Sequence, residues 1–333
     1  MILRKILICI PAALLLSSCT HRPGKVQFTG QAQGTYYAVT YFDKDNRDFQ
    51  PEIDSILHRF DLSVSLWLPG SLISRINKND STAVPDKWFK DIFRRSEKIS
   101  EETDGAFDCT VGPLVNAWGF GFKNRIKLDS ARVDSLKQFT DYRRVRLEDG
   151  RIVKENPGMQ LDFNAIAQGY SVDVLARYFE QHGIRNYLID IGGEVFGHGS
   201  KPKGQSWTVG IENPAPDSTA VQTINARVSL KNKALATSGS YRKYYEENGI
   251  RYSHTIDPKT GYPVRHSLLS VSVLADDCAT ADGYATAFMV LGLDKSLEFL
   301  SANPDFQAYF IYSDEQGNFK VKYTEGFEKI LLK

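Results

Sequence analysis

The chain has 333 residues, 42% of them hydrophobic, which is enough to bury a core in one large domain or two closely joined lobes. Its 41 Lys and Arg offset 40 Asp and Glu, so no net field draws it to nucleic acid, and no basic stripe interleaved with aromatics is present. Four Cys without Cys-x-x-Cys spacing exclude the common zinc and dithiol redox motifs.

The N-terminus reads as a targeting segment. Arg4 and Lys5 precede an apolar run, Ile6 to Leu16, that is short for a mature membrane-spanning helix. Leu16-Ser17-Ser18-Cys19 closes it and resembles a bacterial lipobox, in which the Cys becomes the lipid-modified N-terminus. An ordinary secretory signal with a chance Cys is the alternative. Residues 1–18 are therefore expected to be signal peptide, 19–27 the lipidated Cys19 and a tether, and 28–333 the folded domain. The acyl chains would hold a soluble body on a membrane, facing the periplasm, with the inner membrane the first expectation and the outer the second. Cys109 and Cys278 remain in the body, either paired or as two separate buried thiols.

In the body, Phe28 to Phe42 alternates apolar and polar residues around Gly30 and Gly34 and predicts a strand pair. Ile53, Ile56, Leu57 and Phe60 have helical spacing. So do Trp88, Phe89, Ile92, Phe93 and Ile99, in a helix starting near Pro85-Asp86 and ending before Gly105. Val145 to Val153 predicts a hairpin turning at Asp149-Gly150. A short strand at 159–162 leads into a helix carrying Ile166, Tyr170, Val174, Leu175, Tyr178 and Phe179 inward, with Gly183 as its stop. Strands are expected at 187–191, 207–211, 223–230 and 269–274. A helix is expected over 282–291, continuing or restarting after Gly292 over 294–300, then a closing hairpin of 306–312 and 319–323. Pro214–Thr219 reads as a surface loop. Mixed elements without regular βαβ alternation predict an α+β fold.

Six stretches carry chemistry. Gly105–Leu114, followed by Trp118-Gly119-Phe120-Gly121, combines close backbone approach with the flat surfaces of Phe107 and Trp118 and the carboxylate of Asp108. That suits a flat heteroaromatic ligand, or simply a Gly-rich connection with core aromatics. Leu161–Tyr170 is a strand-to-helix junction whose helix start could hold a phosphate, with Asp162 and Asn164 as ligand contacts or caps. Asp190-Ile191-Gly192-Gly193-Glu194 ends a strand in a Gly pair. Ala236–Ser240 and His254–Gly261 read as polar turns, and His254 beside Asp257 could act as a general base or be an ordinary hydrogen-bonded His. Asp282 and Thr286 are four residues apart at an apparent helix start, so a carboxylate and a hydroxyl can reach one small hard cation; an N-cap is the plainer reading of Asp282.

In order along the chain, Gln33-Gly34-Thr35, Ser71–Asn77, Gly105–Gly121, Leu161–Asp173, Asp190–Glu194, Trp207–Pro214, Ala236–Tyr241, His254–Gly261 and Cys278–Gly292 resemble the ApbE family, the FAD:protein FMN transferases. The resemblance implies an α+β, T-fold-like arrangement of mixed sheets with packed helices. It implies Mg²⁺-dependent transfer of FMN from FAD to a Thr or Ser hydroxyl of an acceptor protein, a membrane redox complex subunit, with release of AMP. On the same resemblance Ala165, Asp282 and Thr286 hold Mg²⁺ and His254 is catalytic. Gln33, Trp67, Ala106, Phe107, Asp108, Asp162, Gln168 and Thr255 contact FAD. The family often has Lys at the position of Gln168, Met at that of Gln33 and Tyr near that of Trp67. Two other activities share these motifs: an FAD pyrophosphatase giving FMN and AMP, and a flavin-binding lipoprotein without turnover.

Overall fold

The computed structural model describes residues 23–121, 128–214, 222–240, 244–247 and 250–332. Cys19, the signal segment and nearly all of the loop expected at 214–219 lie outside the described residues.

The first hairpin joins β1 (Gly24–Ala32) to β2 (Thr35–Asp43). Strand structure thus begins at Gly24 rather than at 28, taking in part of the expected tether. Gln33 and Gly34 form the two-residue tip with φ of 54° and 73°, the left-handed pair that a tight hairpin of this twist requires. Helices α1 (Gln50–Val64), α2 (Leu72–Asn77), α3 (Lys87–Glu102), α4 (Gly112–Ala117) and α5 (Ser130–Lys137) follow. The apolar spacings of α1 and α3 bury the residues expected, Ile53, Ile56, Leu57 and Phe60 in one, Phe89, Ile92, Phe93 and Ile99 in the other. Asp86 starts α3 by accepting the Phe89 N–H at 2.8 Å. The next hairpin, β3 (Val145–Glu148) and β4 (Arg151–Lys154), turns at Asp149-Gly150 as its sequence predicts.

Helix α6 (Ala167–Gln181) leads to β5 (Tyr187–Ile191), β6 (Glu194–His198), β7 (Trp207–Glu212), β8 (Ile224–Leu230), β9 (Lys233–Gly239), β10 (Tyr244–Glu247), β11 (Ile250–Ser253) and β12 (Leu268–Ala275). Helix α7 (Cys278–Ala302), β13 (Gln307–Ser313), β14 (Phe319–Tyr323), α8 (Glu325–Glu328) and β15 (Leu331–Leu332) complete the described chain. Eight strands form one antiparallel sheet in the order β1-β2-β5-β6-β9-β12-β13-β14. The fold is α+β.

Alternation along the central strands gives the sheet two buried faces. Ala234, Ala236, Val271, Val273, Ala308 and Phe310 join the main core beneath α6 and α7. Their neighbours Leu235, Leu274, Tyr309 and Ile311 join a second core with Trp207, Ile211, Val228 and Leu230 of the small β15-β8-β7 sheet. A third, smaller core holds Leu114, Trp118, Val133 and Ile256.

Two expectations change here. Ala236–Ser240, read as a polar turn, supplies the end of β9, an interior strand between β6 and β12; its small residues let α7 lie against it. Helix α7 starts at Cys278, not Asp282, and runs through 302 with a break at Gly292, whose φ is 76°. Cys109 and Cys278 are buried free thiols, not a disulfide.

Candidate active site

The N-terminal ends of α6 and α7 pack against each other, and each helix supplies the other's cap. A helix start leaves several N–H groups without partners. The N-cap position of α6 is Ile166, whose side chain accepts nothing. Instead Asp282 of α7 accepts the Gly169 N–H on Oδ2 at 3.0 Å. In return Asp173 of α6 accepts the Cys278 and Ala279 N–H groups at 2.8 and 3.0 Å. The approach is close enough that a Cβ on Gly169 would stand 2.8 Å from that of Asp282 and against the Cys278 carbonyl. Asp282 is therefore a cap, but for the opposite helix. The cap of α7 itself is Asp277, which accepts the Thr280 N–H at 3.0 Å and pairs with Arg95 at 2.8 Å.

Burial without a neighbouring cation pushes the Asp282 carboxyl up to about 7, opposed only by the Gly169 N–H. Thr286 follows one turn later on the same face, its hydroxyl 3.2 Å from Ser238 Oγ on β9. Ala165 lies in the turn that opens α6, where the Ile166 and Ala167 N–H groups both donate to the Phe163 carbonyl. Asp162, just before it, is buried; its N–H donates to the Cys109 carbonyl at 2.7 Å and its Oδ1 accepts the Asn164 N–H at 2.8 Å. Burial raises its carboxyl to about 6.

The Gly-rich strip borders this junction through a parallel bridge between Val111 and Gln160, and a Cβ on Gly112 would stand a tight 3.1 Å from the Gln160 carbonyl. Within the strip the side chains are packed and bonded inside the protein. Asp108 does not present a bare carboxylate: it accepts the Thr110 N–H and hydroxyl at 2.7 and 2.6 Å and the Tyr142 N–H at 3.0 Å. Ala106 and Phe107 are buried, Phe107 in the main core. Trp118 is buried too, donating its indole N–H to the Gly261 carbonyl at 2.8 Å. That bond ties the strip to the 254–261 turn. There Thr255 is buried, its carbonyl accepting the Val264 N–H, and the half-buried His254 meets the Phe120 ring edge-on at 6.4 Å.

A second convergence lies at the other side of α6. Gln168 donates its amide to the Ile191 carbonyl at 2.7 Å and to the Glu194 carboxylate. It reaches the Gly192-Gly193 turn, where a Cβ on Gly192 would meet both Gln168 and Thr35. In this structure the Gln168 amide is therefore engaged with a buried carboxylate. At the β1-β2 tip, Gln33 accepts the Ser171 hydroxyl at 3.4 Å, while its Nε2 is buried with no hydrogen-bond partner. Trp67 is 64% exposed.

An ApbE family profile matches residues 33–310. The chain is 34% identical to the FAD:protein FMN transferase of Vibrio cholerae, over 99% of this chain and all of that one. It is 35% identical to the enzyme of that name from Salmonella typhimurium, over 98% of this chain and 97% of the other. The solved flavin transferase ApbE from Vibrio cholerae superposes with a TM-score of 0.82 at 32% identity, covering 93% of this chain and all of that one. The chain belongs to the ApbE family.

Within that family the oxygen set of this chain fits a magnesium ion. One carboxylate, one hydroxyl and a backbone carbonyl are hard donors, and no group of three or more His, Cys, Asp or Glu among the described residues could hold a metal alone. Magnesium is commonly held by one or two carboxylates together with substrate phosphates. The buried, poorly compensated Asp282 is the group a cation would suit.

Two residues escaped the sequence reading of this ApbE chain. Asp173 lies four residues after Gly169, so the spacing that puts both on one face of α6 was available as a signal. Asn77 pairs with both the N–H and carbonyl of Leu161 at 2.8 Å, fixing the segment before Asp162, and nothing local in the sequence signals that.

Proposed function

We propose that the chain transfers the FMN half of FAD to a Thr or Ser hydroxyl of an acceptor protein and releases AMP. The observation that carries this reading is the buried Asp282 of α7 capping the start of α6, with Thr286 one turn later on α7 and the Ala165 turn opening α6. Asp282, Thr286 and the Ala165 carbonyl would hold Mg²⁺. The ion would neutralise the pyrophosphate and stabilise the departing AMP phosphate.

The remaining work falls to the chain itself. The acceptor oxygen bonds to the FMN phosphorus, the bond from that phosphorus to the AMP oxygen breaks, and the hydroxyl proton passes to the His254 imidazole. His254 is set by its contact with Phe120 and by the turn that Trp118 holds. Positioning and charge neutralisation dominate such a phosphoryl transfer. The orphaned Gln33 amide supplies a donor for a flavin carbonyl, and the exposed Trp67 a surface for the ring to stack on. Ala106 and Phe107 shape the wall behind it through the backbone. We propose further that Cys19 anchors this body to the membrane from the periplasmic side, beside an acceptor in a membrane redox complex.

Incubating the protein with FAD, Mg²⁺ and an acceptor tests the reading by intact mass. An acceptor heavier by one FMN less water, with AMP released in equal amount, is the expected result. FMN and AMP appearing freely while the acceptor stays unmodified would make the chain a pyrophosphatase instead.

A further inference from the structure

Asp173 has no part in the chemistry above, yet it is one of the few carboxylates buried in the main body, at 5% exposure. Its two oxygens hold the first two N–H groups of α7, at Cys278 and Ala279. Helix α7 does not need this to begin, because Asp277 already caps it and Arg95 already pairs with that cap. What Asp173 adds is position. Gly169 and Asp173 are four residues apart on α6, and Cys278 and Asp282 are four apart on α7. The early residue of each helix bonds the later residue of the other, so two cross-links one turn apart join antiparallel faces. One link would let the helices pivot; two fix their register. Gly169 seals the arrangement, since a Cβ there would press on Asp282 and on the Cys278 carbonyl.

We propose that Asp173 is a positioning residue for the metal site. Holding the start of α7, it sets where Asp282 and Thr286 stand relative to the Ala165 turn. This rests on the reading of Asp282 as a metal ligand.

The test uses the full chain in detergent, with Mn²⁺ binding read by electron paramagnetic resonance and the Mg²⁺ dependence of flavin transfer measured alongside. Asp173→Asn is expected to weaken Mn²⁺ by about tenfold or more, in the range for residues that orient metal ligands. The Mg²⁺ needed for half-maximal rate should rise by the same factor, and the rate at saturating Mg²⁺ should match the parent protein. Gly169→Ala, which displaces the same crossing while leaving both carboxylates in the sequence, should show the same pattern. A folded Asp173→Asn protein with parental Mn²⁺ affinity would overturn the proposal. If that variant does not fold, parental affinity in Gly169→Ala overturns it equally. Asp282→Asn separates the two claims: retained Mn²⁺ affinity there would remove the metal reading itself.

Discussion

Residue by residue, what sequence spacing revealed was the pair Asp282 and Thr286, because i and i+4 share a helix face whatever lies around them. What spacing could not reveal was the partner of Asp282. Its acceptor oxygen serves Gly169, 113 positions earlier, and only the tertiary fold creates that contact. Asp282→Ala should abolish transfer together with its Mg²⁺ dependence; activity that persists and still responds to Mg²⁺ would place the ion elsewhere. Gln168 shows the opposite case. The family often has Lys at this position, and here the Gln168 side chain bonds Glu194 and the Ile191 carbonyl. Gln168→Lys should therefore form an ion pair with Glu194, a stronger hydrogen bond than the amide makes, raising the unfolding midpoint with FAD affinity unchanged. Tighter FAD binding in a titration would return the side chain to the phosphate. Trp67 and Phe107 differ in burial, the first exposed and the second in the main core. Trp67→Ala should cost FAD affinity while changing stability by no more than about 0.5 kcal/mol, as exposed positions do. Phe107→Ala should cost about 3–5 kcal/mol in denaturant unfolding, as a buried aromatic does.

Among the elements, the long amphipathic helices were legible because their apolar periodicity is strong: α1, α3 and α6 bury nearly the residues that spacing selects. Strand β9 was not. Ala-Thr-Ser-Gly has the composition of a turn, and it forms the end of a strand because β12 pairs with it residue by residue, while β6 holds the 233–235 start of the same strand. The start of α7 was misplaced for a related reason. Asp277 and Asp282 both look like caps, and the carboxylate of Asp277 takes the Thr280 N–H, leaving Asp282 free to cap α6. The break at Gly292 follows from a φ of 76°, which a side chain resists, with His266 close to where a Cβ would stand. Gly292→Ala should lower stability by about 1 kcal/mol or more in urea unfolding. An unchanged midpoint would show that α7 can run straight through.

For the whole molecule, the α+β class was legible from the irregular mixture of helix and strand signals, while the single eight-stranded sheet was not, since its neighbours β2-β5 and β9-β12 are far apart in sequence. The folded protein also gathers carboxyls that burial makes reluctant to ionise: Asp162 rises to about 6, and Asp173 and Asp282 to about 7. Below these values the native state keeps protons that the unfolded chain has already lost. Stability should therefore fall as pH rises from about 4 to about 7, the reverse of an ordinary ion-paired carboxylate. Asp43, held down to about 2 chiefly by its bond to Arg47, acts only below that window. Urea unfolding of the metal-free protein across the range checks the slope, and Asp282→Asn should flatten it. A slope of opposite sign would mean the buried carboxyls are compensated in solution.

The measurement on which the account turns is mass spectrometry of flavin-bearing peptides from the membrane fraction of host cells carrying the intact protein or its Asp282→Ala form. FMN joined through a phosphoester to Thr or Ser of a membrane redox protein is expected in the first strain and lost in the second. The same flavin-bearing peptides at the same abundance in both strains would contradict it.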